Sequence, residues 1–235
     1  MAFDDMKPGG IGETLISSRS LDEYRAMFGL TERDLTRRIL DCPGGAAGFT
    51  AEVSDRGGDV IACDMAYFGR SSEEIAAVST MELERGSRYV RSRREQYRWT
   101  FFSDPGAHER HRRTAAQQFA AHIRRHPQRY VAGRLPALPF ADARFDLVLS
   151  SHLLFSYADR LDHTFHVDSI RELMRVARDE VRIFPLVAAD SSTPYARLDE
   201  LLAELRAVDI VGEVVHVDYE FQQGADHMLV CRRGR

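Results

Sequence analysis

The sequence predicts an α/β fold built on an open, mostly parallel seven-stranded sheet that closes with an antiparallel hairpin. Three observations carry this. Short apolar runs alternate with helix-start signals, the order that gives parallel strands joined by crossover helices. The first run enters a glycine-rich turn, Asp41-Cys42-Pro43-Gly44-Gly45-Ala46-Ala47-Gly48, and the second ends in Asp64. Near the C-terminus Val215, Val217, Tyr219 and Phe221 alternate with His216, Asp218, Glu220 and Gln222, the period of a half-buried strand. At 235 residues the chain suits one well-buried domain, residues 1–235, carrying an insertion, rather than two independent domains.

The elements follow in order. Ser20-Leu21-Asp22-Glu23 opens an N-terminal helix with a cap and first-turn acids, and Thr31-Glu32-Arg33-Asp34 starts a second, so helices occupy residues 20–37. Strand one is expected at Arg38 to Cys42. The helix after the glycine turn stops at Gly57-Gly58, and strand two runs from Asp59 to Asp64. Strands three, four and five are expected at Gln128 to Gly133, Asp146 to Ser151 and Val181 to Leu186. Ser192-Thr193-Pro194 reads as the cap of a helix whose Leu198, Leu201, Leu202 and Leu205 share a face. A turn at Gln223 to Asp226 then joins the alternating strand to His227 to Cys231.

Between strands two and three lies far more chain than one crossover helix needs. Ser71-Ser72-Glu73-Glu74 and Asp104-Pro105 are helix starts, and Phe119 and Ile123 fall on one face of the later helix beside Ala115, Ala116 and Ala120. Residues 66–127 therefore read as a helical insert. It leaves from the carboxyl edge of the sheet, where open α/β sheets bind ligands, so it is placed to act as a lid.

Composition narrows the function classes. No run approaches a membrane-spanning length, and Met1 to Gly10 has neither a basic region nor an apolar core, so a soluble cytoplasmic protein is expected. Cys42, Cys63 and Cys231 form no C-x-x-C pair and sit on apolar strands as buried reduced thiols. The net charge of −4 conceals an asymmetry: from Arg85 to Arg134 thirteen arginines face only Glu95, Asp104 and Glu109, which leaves this segment at +10 and the remainder at −14.

A strand, a glycine turn, a helix and a strand-end acid make a nucleotide-cofactor half-site. The ATP-type loop requires a Lys after its last Gly, and the only Lys here is Lys7. A dinucleotide fingerprint would place glycines at 43, 45 and 48, but position 43 is Pro. The remaining class, S-adenosylmethionine (SAM), carries no pyrophosphate. It asks for close backbone approach and an acid at the strand end, which Gly44, Gly45, Gly48, Asp41 and Asp64 supply.

At this point the sequence resembles the class I SAM-dependent methyltransferases, and more closely a bacterial group of them whose substrates are mostly unassigned. Leu138-Pro139-Phe140-Ala141-Asp142-Ala143-Arg144-Phe145-Asp146 is similar to that superfamily's lead into strand four, and Glu172-Leu173-Met174-Arg175-Val176-Ala177 to its helix before strand five. The match covers roughly residues 36–64 and 129–233. Three positions depart from the pattern: Pro43 replaces the first loop glycine, Arg134 stands where many members have an adenine-contacting acid, and Arg178-Asp179-Glu180 replaces a Pro-Gly-Gly turn. The resemblance implies a Rossmann-like class I methyltransferase fold with SAM as cofactor. It implies Asp64 as ribose acceptor, Asp41, Pro43, Gly44, Gly45 and Gly48 around the methionine end, Met65 over the adenine and the Leu135 backbone at its edge. Ser150 and Ser151 close the cofactor side of strand four, and Arg19, before the N-terminal helix, is placed to pair the SAM carboxylate.

His152, directly after strand four, faces the acceptor side and is the candidate catalytic base; the alternative is a structural histidine held by neighbouring loops. Ser151-His152-Leu153-Leu154 occupies the place of the Asn/Asp-Pro-Pro-Tyr segment of DNA amino methylation, which argues against that substrate. The spaced pairs His108/His111, His122/His126 and His163/His166 lack completing ligands, so no metal is expected. The arginine-rich insert has three readings: pairing with acids of the body, an anionic small substrate, or RNA. The expected reaction is methyl transfer to an oxygen or nitrogen of a small molecule. An RNA methyltransferase and a SAM-fold protein that binds without methylating are the alternatives, and the oligomeric state is left open.

Overall fold

The computed structural model describes residues 15–234, so Lys7 and the leader-free reading of Met1 to Gly10 lie outside the described residues. The seven strands are β1 (Arg38–Asp41), β2 (Asp59–Asp64), β3 (Tyr130–Ala132), β4 (Phe145–Ser151), β5 (Ala177–Phe184), β6 (Ile210–His216) and β7 (His227–Arg233). They form one sheet in the order β3-β2-β1-β4-β5-β7-β6. The first five strands in that order run parallel, and β7 lies antiparallel between β5 and β6. The expected fold class is the observed one.

Among the described residues there are six α-helices, α1 (Leu21–Phe28), α2 (Phe49–Asp55), α3 (Ser72–Ser92), α4 (Pro105–Arg125), α5 (His163–Val176) and α6 (Leu198–Arg206), and all but α3 pack next to the sheet. Strand alternation sorts them. Ile39, Leu147 and Leu149 face α1 and α2 with Tyr24, Phe28, Phe49 and Val53. Leu40 and Val148 face the other way, onto Ile170, Leu173, Leu201 and Leu205 of α5 and α6. Burying one such aliphatic side chain contributes roughly 1.5 to 3 kcal/mol, so two covered faces fix the strand register firmly. At the amino edge Arg38 donates through its backbone and guanidinium to Asp146, tying β1 to β4.

The insert is a two-helix hairpin. Ser71 caps α3 in a reciprocal capping box with Glu74, and Asp104 caps α4 with Pro105 in the first turn. The two helices play different parts. Ala115, Phe119 and Ile123 of α4 are buried, the latter two with Ala62 and Tyr130, and α4 packs on α2, so it serves as the crossover helix to β3. The outer helix α3 packs on α4 and brings Leu83, Ser87 and Val90 over the carboxyl edge of the sheet.

Three boundaries differ from expectation. The strand β5 begins at Ala177 directly after α5, so Arg178-Asp179-Glu180 is strand, with Glu180 gripped by Arg37, Arg182 and Arg232. Ser192-Thr193-Pro194 does not cap α6; Pro194 bridges Val187, Thr193 accepts from the Ala188 N–H, and the helix starts at Leu198. The hairpin partner of β7 is Ile210–His216, which shares only Val215 and His216 with the expected alternating strand. Val217, Tyr219 and Phe221 instead turn into the core, while the Phe221 carbonyl accepts from the Arg98 N–H at 2.7 Å.

Candidate functional site

The turn after β1 is tightly constrained. A Cβ on Gly44 would lie 2.7 Å from the Ala62 Cβ, and Gly45 adopts φ +51 with Ser17 O 3.1 Å from where its Cβ would stand. Both positions require glycine. Every N–H from Gly44 to Gly48 already has an acceptor: Cys63 O, an Asp64 carboxylate oxygen, Ser17 O, Gly44 O and Arg19 O. A pyrophosphate needs free N–H donors, and this turn offers none. Its Gly44 carbonyl accepts from the Ala47 N–H and its Gly45 carbonyl from the Tyr67 hydroxyl at 2.6 Å. The helix α2 after Gly48 has seven residues and no side-chain cap, and its entry is occupied by the chain itself.

Asp64 ends β2 with 7% of its surface exposed. One oxygen accepts from the Gly45 N–H and the other from the Ala66 N–H, both at 2.8 Å. Each keeps a lone pair, so two ribose hydroxyls could be accepted. Burial pushes this carboxyl up, against the two N–H bonds. Met65 beside it is 52% exposed and Phe68, which the sequence reading did not single out, is 55% exposed. These two exposed apolar surfaces next to Asp64 have the character that an adenine ring would require. Leu135 is buried and Arg134 exposed, so the edge of that groove is backbone plus a cation.

Asp41 is fully buried and its two oxygens each lie 3.0 Å from the Tyr24 hydroxyl, with burial raising its carboxyl well above the ordinary range. Tyr24 stacks on Phe49 at 4.3 Å, which pins α1 over the glycine turn. Pro43 is half-buried between Asp41 and Gly44.

Residues 15–20 form a strap across this turn. Ile16 donates to Glu82 of α3 and Leu15 to the Tyr157 hydroxyl. The Arg19 side chain is 12% exposed; it donates to Ser17 Oγ, its Nε lies 3.7 Å from Glu23, and that Nε has no hydrogen-bond partner among the described residues. Burial and the nearby Arg112 lower its basicity. A buried guanidinium with an open donor fits a carboxylate.

Beneath the strap the sequence reading missed a buried network. Glu23, 1% exposed, receives both guanidinium nitrogens of Arg112 and, at 2.8 Å, the Tyr219 hydroxyl. Arg112 also donates to Ser18 O at 2.9 Å and to His108 Nε2 at 3.1 Å. Burial, then Arg112, pushes His108 down to about 2, so it stays neutral and accepts. The network joins α1, α4 and the C-terminal loop at one point.

His152 lies at the carboxyl end of β4 with φ +51, a left-handed conformation that is strained for a non-glycine residue. Its N–H donates to Phe184 O at 2.7 Å and its Nδ1 lies 2.8 Å from Ser151 Oγ. Burial, then Arg19 and Arg112, hold it well below the usual imidazole range. Such a side chain is neutral but a weak base. Ser150 is buried with its Oγ unpartnered among the described residues.

Arg19, His152, Arg112 and Tyr219 line a common cavity of about 90 Å³. Tyr89 and Val90 of α3 roof it, and Tyr97, Phe221 and Phe184 form its aromatic wall. Phe221 stacks on Tyr97 at 4.6 Å and on His108 at 4.9 Å. The insert's arginines are largely spent nearby. Arg91 and Arg113 meet Glu109, Arg124 meets Glu73, and Arg98 meets Glu220. Most of that pairing is within the insert; Arg98 with Glu220 and Arg112 with Glu23 are the pairs to the body among those described. Among the described residues, His163 with Glu200 and Glu204 is a possible ligand group, but Glu200 is held by Arg197 and His163 by Tyr195.

Comparison with known proteins adds to this geometry. Residues 107–184 match the family described as "Methyltransferase domain". An uncharacterized protein of the archaeon Methanocaldococcus jannaschii is 28% identical over 94% of this chain and 97% of its own length. A 1,6-didemethyltoxoflavin-N1-methyltransferase of Burkholderia thailandensis, solved with S-adenosylhomocysteine, is 15% identical over 85% of this chain and 72% of its own, with a TM-score of 0.45. A SAM-dependent methyltransferase of Aquifex aeolicus is 17% identical over 90% of this chain and 88% of its own, with a TM-score of 0.44. No helix among the described residues is long and apolar enough to cross a membrane.

Proposed function

We propose that this chain, a class I SAM-dependent methyltransferase by its family match and its sheet order, transfers the cofactor's methyl to an oxygen or nitrogen of a small molecule. It is an enzyme, and SAM is its cofactor. The observation that carries the small-molecule reading is the cavity under the strap. It is narrow, walled by aromatic side chains and roofed by α3, dimensions suited to one small acceptor and not to a polymer.

The cofactor brings a methyl on a cationic sulfur, open to in-line attack by a lone pair. Asp64 would accept from the ribose hydroxyls, Gly44 and Gly45 would line the methionine end, and Arg19 would pair the carboxylate. Met65 and Phe68 would cover the adenine, Leu135 would offer backbone at its edge, and Ser150 and Ser151 would close the side toward β4. His152 stands at the acceptor face, where its neutral ring holds or receives a hydrogen bond from the attacking group. Phe184, Phe221 and Tyr97 exclude water, so proximity and desolvation supply much of the rate.

Labelled transfer tests the reading. The enzyme is incubated with methyl-labelled SAM and either the low-mass or the RNA fraction of a cell extract. Label in low-mass products supports it. Label in RNA, with binding that weakens steeply as salt rises, would replace it with the RNA reading.

A further inference from the structure

Outside the acceptor cavity, the start of α5 and one flank of α6 bring a histidine and two glutamates together. His163 is the first residue of α5, directly after its Asp162 cap, and Glu200 and Glu204 stand one turn apart on α6. The two helices pack against each other, with Leu201 and Leu205 of α6 buried, so the glutamates lie beside the interface. One ligand atom from each of the three residues lies within 4.8 Å of the other two. Tetrahedral zinc makes bonds of about 2.0 to 2.2 Å to such ligands, which puts its ligand atoms about 3.4 Å apart. Glu200 and Glu204 are 50% and 47% exposed, so modest side-chain rotations close the difference.

The histidine is the prearranged part. Its side chain is 8% exposed, and its Nδ1 lies 2.8 Å from the Tyr195 hydroxyl. Tyr195 is itself fixed, its ring stacked at 4.7 Å on His166, whose two nitrogens both lie against backbone carbonyls. A metal-bound imidazole carries its proton on the other nitrogen and donates it to an outer partner. The Tyr195 oxygen can serve as that partner, with Nε2 facing Glu204 at 3.1 Å. The competing contact is weak. Arg197 pairs with Glu200, but both side chains are half exposed, and such a surface pair contributes little. Two carboxylates one turn apart on a helix repel each other, so a dication between them relieves a cost as well as adding bonds.

We propose that His163 Nε2, Glu204 and Glu200 form a zinc site that ties α5 to α6. Two carboxylates balance the charge of a divalent ion, and the imidazole selects zinc over magnesium and calcium, which take oxygen ligands. None of the three residues lines the acceptor cavity, so the role of the site is structural. It holds Tyr195, whose N–H donates to Leu186 O at 3.1 Å, and with it the segment that carries Ala189 to the cavity wall. His166, three residues after His163, is not a member; the completing ligands come from α6.

The test is calorimetric titration of zinc chloride into untagged, chelator-washed protein, with thermal unfolding in parallel. Wild type is expected to bind one zinc per chain in the micromolar range or tighter, to unfold at a higher temperature with zinc present, and to show no comparable binding of magnesium. Glu204→Gln, at an exposed position, and His163→Gln should each lower zinc affinity by at least about tenfold, and Tyr195→Phe, which removes only the outer hydrogen bond, by about tenfold. Arg197→Ala releases Glu200 and should raise the affinity roughly two- to fivefold, a gain that a purely structural contact between His163 and Glu204 would not produce. Absence of one-site zinc binding to wild type, affinity unchanged in both Glu204→Gln and His163→Gln, or equal binding of magnesium would each overturn the site. A fall in affinity in Arg197→Ala would overturn Glu200 as a ligand.

Discussion

Replacing Arg112 by Met tests whether the buried network holds the cofactor strap in place. The substitution keeps much of the side chain's bulk and deletes the charge. Glu23, 1% exposed, then loses both guanidinium bonds and keeps the Tyr219 hydroxyl at 2.8 Å and Arg19 at 3.7 Å. Breaking one side of a buried ion pair typically costs about 3 to 5 kcal/mol, because a desolvated charge is left behind. Arg19 offsets part of that, so a loss of about 3 kcal/mol is expected. Ser18 O also loses its donor, which loosens the middle of the strap while Ser17 O and Arg19 O keep their bonds from Ala46 and Gly48. Urea denaturation should show a lower midpoint with an unchanged slope, and S-adenosylhomocysteine affinity should fall by about tenfold or more. The double variant with Glu23→Leu should recover most of the stability but not the affinity, since an apolar pair packs without holding the strap. A loss under about 1 kcal/mol, or unaltered cofactor affinity, would refute the clamp.

Further outcomes follow from neighbouring features. Arg19→Ala should weaken SAM binding, read by calorimetry, and unchanged affinity would remove the carboxylate-pairing role. His152→Ala should bind S-adenosylhomocysteine as wild type does but lose turnover, and a loss of cofactor binding would reassign the residue to the cofactor pocket. Saturating S-adenosylhomocysteine should slow tryptic cleavage within residues 66–127, because ligand lowers the population of the open state; equal rates would mean that the α3–α4 hairpin is uncoupled from the site. Asp146, held down to about 2 chiefly by its bonds from Arg38, contributes stability that is present above the ordinary carboxylate range near 4 and is lost as pH falls through about 2. Asp146→Asn should therefore be less stable than wild type at pH 7, with the gap closing between about pH 4 and 2 in parallel denaturation curves.

How much of this was legible in the sequence depends on the range of the interactions. Asp59 to Asp64, the Ser71 cap and the Asp104-Pro105 start are set by neighbouring residues, and all three stand where the pattern put them. The glycine turn and Asp64 were legible for the same reason. The tail was not. Val217, Tyr219 and Phe221 alternate like a strand, yet only the end of the segment meets the insert, Gln222 bridging Tyr97 and Phe221 O accepting from Arg98, and the core they enter is assembled from distant segments. The start of α6 was misplaced because Pro194 serves a bridge to Val187, a non-local use of a residue whose local meaning is a helix start. The network of Glu23, Arg112 and Tyr219 spans 89 and 196 residues of sequence. Glu23 looked like a first-turn acid and Arg112 like one of thirteen arginines. The available signal was a charge at position 23 inside the apolar face of Leu21, Tyr24, Met27 and Phe28.

The central claim is that the glycine turn and Asp64 form a SAM site, and calorimetric titration of SAM into wild type and Asp64→Ala tests it most directly. Wild type should bind at one site per chain. The variant should bind more weakly by about 1 to 3 kcal/mol, the cost of leaving ribose hydroxyls unpaired in a partly dry groove. No binding to wild type, or equal affinity in the variant, would contradict the account.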